Sequence, residues 1–411
     1  MFFKIVLKSL QDRKGSVLLT LMAMTISIFV ILGVEHIRQQ TKKSFESTLS
    51  DTDLVIGSRS GSLNLLLYSV FRIGSPTNNI NWNSFKTISR NSKVEWAIPL
   101  SLGDSHKGFP VLGTNSDYFK YFRYGQNQKL EFIAGKPFAQ IFDVVIGSEI
   151  AKQLKYKIGD KIILSHGMQK QSLQKHDEYP FQIMGILKPT GTPVDRTVHI
   201  QLEGMEVIHV GWQNGVQVFK NKTPKEFLNS GVEPKSITAI FVGLKSKLAT
   251  FSFQRTINNF TDEPLLAILP GVALSELWQM MSLLEKSLLL VASLVFVSAC
   301  FGVSAVLLNS IRERKEEIRL LRIIGASPPF IFALIETETL VITVTATILA
   351  TMLLTATLIG AEGYIVGNYG IQISHFMELT SYLWVMAIVL TLTLVAGLVP
   401  GWAAYQEGKY S

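Results

Sequence analysis

The chain has 411 residues, 47% of them hydrophobic and only 17% charged, and its mean hydropathy of +0.29 is high for a soluble protein. The net charge of +8 comes from basic residues spread along the chain among acids, which argues against nucleic-acid binding and for the charge asymmetry of a membrane protein. A single cysteine, Cys300, excludes an intrachain disulfide and a cysteine-based zinc cluster.

Lys4, Lys8, Arg13 and Lys14 precede an uncharged run, Gly15–Val34, that is long enough to cross the roughly 30 Å apolar core of a bilayer. It exceeds the core of a signal peptide, and Glu35-His36-Ile37-Arg38 is no small-residue cleavage site, so it reads as a retained first span. From 37 to 282 no run is long enough to span. Short β-rich stretches punctuated by Gly and Pro predict a soluble mixed domain there, with strands at Asp53–Ile56, Asp143–Ile146, Lys161–Leu164, Phe181–Met184 and Ile237–Val242. Leu63–Phe71 is uncharged but too short to span; burial in the domain core is favoured over an exposed lipid- or partner-binding segment. Asp143–Leu164 reads as a strand ending at Gly147, a short helix capped by Ser148 and running through Leu154, and a Gly159-Asp160 turn into the next strand.

Five of the seven histidines, His106, His166, His176, His199 and His209, fall in this domain. Converging imidazoles suit zinc or copper, yet no ligand spacing links these five, and His176-Asp177-Glu178 is the one ligand-like local cluster. No metal site is assigned. No catalytic residue is assigned either: Ser165-His166 and Asp104-Ser105-His106 place hydroxyls beside imidazoles only in sequence, and no Gly-x-Ser-x-Gly or His-Glu-x-x-His occurs. Leu274, Leu277, Trp278, Met281 and Leu284 recur at helical spacing and lead without interruption into the next apolar run. That helix is either a rigid stalk or an amphipathic helix lying on the domain.

Three more uncharged runs follow: Ser287–Ile311, Leu340–Ala361 (entered from Phe330) and Leu379–Gln406. Arg312, Arg314, Lys315, Arg319 and Arg322 lie between the second and third spans, whereas Gly363–Ser381 carries no Lys or Arg. The bias of basic residues toward the cytoplasm places both termini and the 312–329 segment inside and the 37–282 domain outside. Arg38, Lys42 and Lys43 run against the rule, but they open a long domain, and long domains translocate largely regardless of charge. Glu336 and Glu338 sit near the start of the third span. They either make polar contacts between helices and to the moving elements or are solvated at interface depth.

Arg312-Glu313-Arg314-Lys315-Glu316-Glu317-Ile318-Arg319-Leu320-Leu321-Arg322-Ile323-Ile324-Gly325-Ala326 resembles the cytoplasmic signature of the MacB, LolC/LolE and FtsX permease superfamily. Asp143–Leu164 resembles that family's extracytoplasmic domain, and Glu336 falls where many members carry an acid. The resemblance implies an α-helical membrane protein with four transmembrane helices and a large mixed α+β extracytoplasmic domain inserted between helices 1 and 2. The divisions are 1–36, a MacB-like domain with its stalk over 37–282, and 283–411 with the coupling segment 312–329. It further implies a permease subunit of the bacterial inner membrane that pairs with a second copy, as a homodimer, and with a MacB/LolD-like ABC ATPase supplying ATP and Mg. ATP-driven motion would pass through helical stalks to the external domains by mechanotransmission.

On this resemblance the ATPase-coupling residues are Arg312, Arg314, Glu316, Glu317, Arg319, Arg322 and Gly325, whose interleaved charges suit pairing with a protein surface. No Gly-x-x-x-x-Gly-Lys-Ser/Thr occurs, so the chain has no phosphate-cradling loop of its own and is not read as an enzyme. The substrate would be hydrophobic, peptide-like, a lipoprotein or metal-associated, with membrane lipid and an adaptor, lipoprotein or metal-binding protein as further partners and no nucleic acid. Two alternatives stand beside this reading: an FtsX-like regulator of a periplasmic or cell-wall enzyme, and a zinc-linked uptake permease. The second rests on Leu66–Arg72 and Thr190–Arg196, which resemble segments of a subgroup tied to zinc-responsive gene clusters.

Overall fold

The computed structural model describes residues 2–166, 180–209, 212–213, 216–217, 233–313, 319–320, 323–369, 374 and 376–410. The chain forms two compact units: Met1–Gln40, Met281–Glu362 and Ile373–Ser411 make one, and Thr41–Met280 with Gly363–Gln372 make the other.

The second unit is built on a mixed sheet. Its strands are β1 (Leu54–Ser58), β2 (Val94–His106), β3 (Phe109–Thr114), β4 (Phe132–Gly135), β5 (Asp143–Ile146), β6 (Lys161–Ile162), β7 (Ser165–His166), β8 (Phe181–Leu187), β9 (Val198–Gln201), β10 (Ala239–Leu244) and β11 (Leu265–Ile268). They order as β11-β1-β10-β2-β3-β9-β5-β8-β4, with β7 on β2 and β6 on β8. The β8–β5 and β9–β3 pairs are parallel, and the remaining pairs of this sheet are antiparallel. Every residue of β1, β5 and β10 is buried, as expected of uninterrupted apolar runs covered on both faces.

Alternation along β1 shows what covers each face. Val55 packs with helices α3 (Ser62–Ser69) and α5 (Asp117–Tyr121), while Leu54 and Ile56 pack with α4 (Trp82–Ser89) and α8 (Thr250–Asn258). The apolar segment at 63–71 is therefore core: Leu65, Leu66 and Tyr68 of α3 are buried. Helix α6 (Ser148–Leu154) forms as expected, but its N-cap is Gly147, which makes no side-chain cap; Ser148 occupies the first helical position. The Ser148 hydroxyl instead bonds Asp195, whose carboxylate also accepts from the backbone N–H of Thr190 (2.8 Å) and Gly191 (2.8 Å). The Thr190–Arg196 segment is thus a self-bonded loop locked onto α6. Helix α7 (Leu202–His209) completes the helices described in the sheet's distal half.

The first unit holds α1 (Phe2–Asp12), α2 (Lys14–Glu46), α9 (Pro270–Glu313), α10 (Pro328–Tyr369) and α11 (Leu379–Tyr410), with α2, α9 and the end of α10 continuing into the second. Among the described residues, four helices are long and apolar enough to cross a membrane: Lys14–Phe45, Pro270–Asn309, Pro328–Ala361 and Leu379–Gln406. Along α10, Thr339, Thr343, Thr347, Thr351 and Thr355 repeat every fourth residue, and each hydroxyl donates to the carbonyl one turn earlier, at 2.8–3.0 Å. The hydroxyls are satisfied within their own helix, so a seam of small side chains, extended by the fully buried Ala346 and Ala350, packs closely without orphaned polar atoms.

Gly147 is a tight backbone joint of this domain, since a Cβ there would lie 2.3 Å from the Asp195 carbonyl oxygen and 2.4 Å from that of Val194. Both obstacles are backbone. Gly147→Ala should destabilise by about 3 kcal/mol, read as a lowered unfolding midpoint in denaturant; an unchanged midpoint would refute this packing.

Candidate functional sites in the spanning bundle and stalk base

Helix α1 is amphipathic, and its apolar side (Val6, Leu10, with Phe2 and Ile5) packs on Leu334, Ile342 and Val341 of α10. The Phe2 and Phe330 rings meet edge-on at 5.3 Å. This docking carries two polar groups to Glu338, whose side chain is fully buried. Ser9 Oγ donates to one carboxylate oxygen, and Arg13 Nη2 donates to the other at 2.8 Å and to Ser9 Oγ at 2.9 Å. Both carboxylate oxygens thus gain a donor and the charge gains a counter-charge, which is what a buried carboxylate requires. Glu338 is an interhelical contact, not a solvated interface residue.

Glu336 differs. It points to α11, where Gly397 and Gly401 form a notch one helical turn long: a Cβ on Gly397 would sit 2.8 Å from Glu336 Oε2, and one on Gly401 3.4 Å from Oε1. Both oxygens are buried and neither has a hydrogen-bond partner. Between the two glycines stands Pro400, inside the helix. Its missing N–H leaves the Ala396 carbonyl unpaired, and Ser304 Oγ of α9 donates to that carbonyl at 2.8 Å. One buried hydroxyl therefore repairs the break and ties α9 to α11.

At the foot of the external unit, the ends of α2 and α9 enter its core. Phe45 lies 4.4 Å from Phe71 and 5.6 Å, edge-on, from Trp278; Leu49, Ala273 and Leu274 join the same cluster. Ser62 Oγ at the start of α3 donates to Glu276 at 2.5 Å. The 274–284 helix thus begins as part of the domain and continues unbroken in α9. Leu274 and Trp278 of the stripe thus pack on the domain itself, while Met281 and Leu284 further along are exposed.

Of the expected coupling residues, Arg314, Glu316, Glu317 and Arg322 lie outside the described residues. Arg312 and Arg319 are exposed. Gly325 has φ +104°, a left-handed conformation that suits glycine after a helix end, and Pro328 then opens α10 at its first position. Leu320, Ile323 and Ile324 are 57%, 74% and 82% exposed. These aliphatic side chains, between two spans, were visible in the sequence only as part of the signature.

The histidines do not converge. His106 donates from Nδ1 to the Ile163 carbonyl (2.7 Å) and accepts at Nε2 from Tyr156 (3.0 Å), so both ring nitrogens are occupied; burial holds its pKa down. His199 is fully buried, 5.2 Å from the Tyr118 ring and 6.0 Å from that of Phe119; burial and then the nearby Arg72 guanidinium push its pKa down to about 3. His176 lies outside the described residues, and of His166 and His209 only the backbone is described. Among the described residues no three His, Cys, Asp or Glu side chains gather to hold a metal.

Arg13→Ala should cost about 3–5 kcal/mol by stranding the Glu338 carboxylate, and Glu338→Gln on that background should recover most of it, measured as thermal stability in nanodiscs; additive losses would show that the two do not interact. His199 gives a pH dependence. Its folded pKa of about 3 lies below its ordinary 6.5, so the unfolded chain binds the extra proton, and stability present above pH 6.5 falls as the pH drops toward 3. His199→Leu should flatten the acid slope of the melting temperature over that window; an unchanged slope would contradict the burial.

Two family models match. The MacB-like periplasmic core domain covers residues 17–259 and the FtsX-like permease C-terminal domain covers 289–408. Comparison with curated proteins finds no match. Among solved structures the chain is similar to the periplasmic region of MacB from Actinobacillus actinomycetemcomitans, at 11% identity and TM-score 0.35, covering 56% of this chain and 94% of that one. It is also similar to the extracellular domain of the noncanonic ABC-type transporter YknZ from Gram-positive bacteria, at 13% identity and TM-score 0.31, covering 53% of this chain and 99% of that one. With one apolar helix before the mixed domain and three after it, and with matched family models over both parts, the chain belongs to the MacB/FtsX-type family of ABC transporter permeases.

Proposed function

We propose that this permease subunit couples ATP hydrolysis on a separate ABC ATPase to motion of its external domain, and so moves or extracts a hydrophobic, peptide-like, lipoprotein or metal-associated substrate. Family membership implies the ATPase partner. The observation that carries the coupling is the exposed trio Leu320, Ile323 and Ile324 beside the exposed Arg312 and Arg319. Aliphatic side chains left in water between two spans favour burial against another protein, and a charged rim fixes the register of such a contact. The stalk base supports the second half of the reading, because a helix whose first turns belong to the domain core moves that domain when it moves.

In this reading the protein is a homodimer in the bacterial inner membrane, with both termini and the 312–329 segment cytoplasmic and the 37–282 domain periplasmic. Basic residues flanking the first span and filling the 312–322 segment support that orientation. Neither zinc-linked uptake nor regulation of an external enzyme is favoured by an observation on this chain. The loop formed by Thr190–Arg196 spends its polar groups on its own backbone and α6, and Leu66–Arg72 contributes to the core.

Ile323→Asp combined with Ile324→Asp should lower ATPase co-purification and permease-stimulated hydrolysis more than about tenfold, with Arg319→Ala causing a smaller loss. Full complex formation and full stimulation by the double variant would exclude this segment as the contact.

A further inference from the structure

Every polar side chain described above as joining the spanning helices has a partner except Glu336, whose two buried carboxylate oxygens have none. Among the described residues, the helices around it offer no free counter-charge. Helix α11, which supplies the notch, contains no charged residue from Leu379 to Gln406, and α9 contains none from Ser287 to Ile311; it contributes a neutral hydroxyl, Ser304, spent on the Ala396 carbonyl. On α10 itself the neighbouring acid is Glu338, and it engages Arg13, the cation brought by α1 and α2. A carboxylate whose two oxygens are buried against glycine and phenylalanine without a cation or donor is costly when ionised, whereas the neutral acid is far cheaper to bury.

The notch itself is shaped for this group. Gly397 and Gly401 leave open the space that two Cβ atoms would take, and the carboxyl fills it; Phe332 closes the side, lying 2.8 Å from where a Gly401 Cβ would be. We propose that Glu336 is a proton-binding site of the membrane domain: it is carried as the neutral carboxylic acid in the Gly397/Gly401 notch and releases its proton when α10 and α11 separate there. The release is a simple ionisation. The carboxyl O–H bond breaks, the proton passes to water reaching the opened notch, and the electron pair stays on the carboxylate, which water then solvates. Closure requires the proton to return. This reading concerns the packing of two helices and does not rest on the coupling proposed above.

The test uses the full-length chain in lipid nanodiscs and infrared spectroscopy in the region of the protonated carboxyl C=O stretch. At neutral pH wild type should show a carboxylic-acid band that Glu336→Gln abolishes and Glu338→Gln retains, and the band should fade only as the pH is raised. Gly397→Ala, which crowds the carboxyl while leaving it in the chain, should shift or remove the same band, and it keeps the test open should Glu336→Gln fail to assemble. Absence of any carboxylic-acid band sensitive to Glu336→Gln at neutral pH, or a band indifferent to Gly397→Ala, would overturn the proposal.

Discussion

The aromatic packing of Phe45, Phe71 and Trp278 is the constraint on which the functional account depends. It makes the last turn of one spanning helix and the first turns of the next part of the external domain's core. Two long helices attached through flexible linkers would leave the domain free to tumble, and displacement of the helices would be lost in the linkers. Half-buried Phe45 and Trp278 meet around the buried Phe71 at 4.4 and 5.6 Å, and with the Ser62–Glu276 hydrogen bond they pack both helix ends onto the domain. The Leu65, Leu66 and Tyr68 face of α3 continues the same core up to β1, so the stalk base and the sheet share one packed interior.

Within the spanning bundle, polar groups are handled in three ways, each with a physical reason. The threonines of α10 bond their own helix, and Thr351 also meets the Tyr382 hydroxyl of α11 at 3.3 Å. Glu338 recruits Arg13 and Ser9, which makes the short N-terminal helix a structural member of the bundle and not a mere flank. Ser304 answers a specific defect, the carbonyl freed by Pro400, and so converts a helix break into a link between α9 and α11. Glu336 follows none of these patterns, and it stands at the same proline and glycine break. The proline break of α11 and the unpartnered acid therefore coincide at one level of the bundle.

Much of this was legible in the sequence because it follows from period and length. Four uncharged runs located the spanning helices, and β-branched runs such as Val144-Val145-Ile146 and Ile240-Phe241-Val242 located central strands. The apolar 63–71 segment was too short to span, and core was favoured over an exposed binding segment because apolar runs usually pack. What was missed depends on residues distant in sequence. Nothing at Ser9 or Arg13 announces Glu338, more than three hundred residues away, and Ser304 looks like any hydroxyl in an apolar run until it meets Ala396. The Ser148 cap failed for a related reason: a carboxylate from 195 competes for its hydroxyl, and Gly147 must stay bare to let that loop approach. Glu336 and Glu338 are alike in sequence, two residues apart at the same depth, and only the facing helices make one paired and the other not.

The central claim is that the first turns of α9 move as one body with the external domain. Spin labels at Lys247, on the exposed surface beside α8, and at Met280, the last stalk residue of that unit, would report it by pulsed electron spin resonance in nanodiscs with the ATPase partner bound. The account predicts one narrow distance distribution that does not change between nucleotide-free and ATP-bound states. A broad distribution, or a shift on ATP binding, would show that the stalk bends at its base and that motion is not delivered to the domain as described.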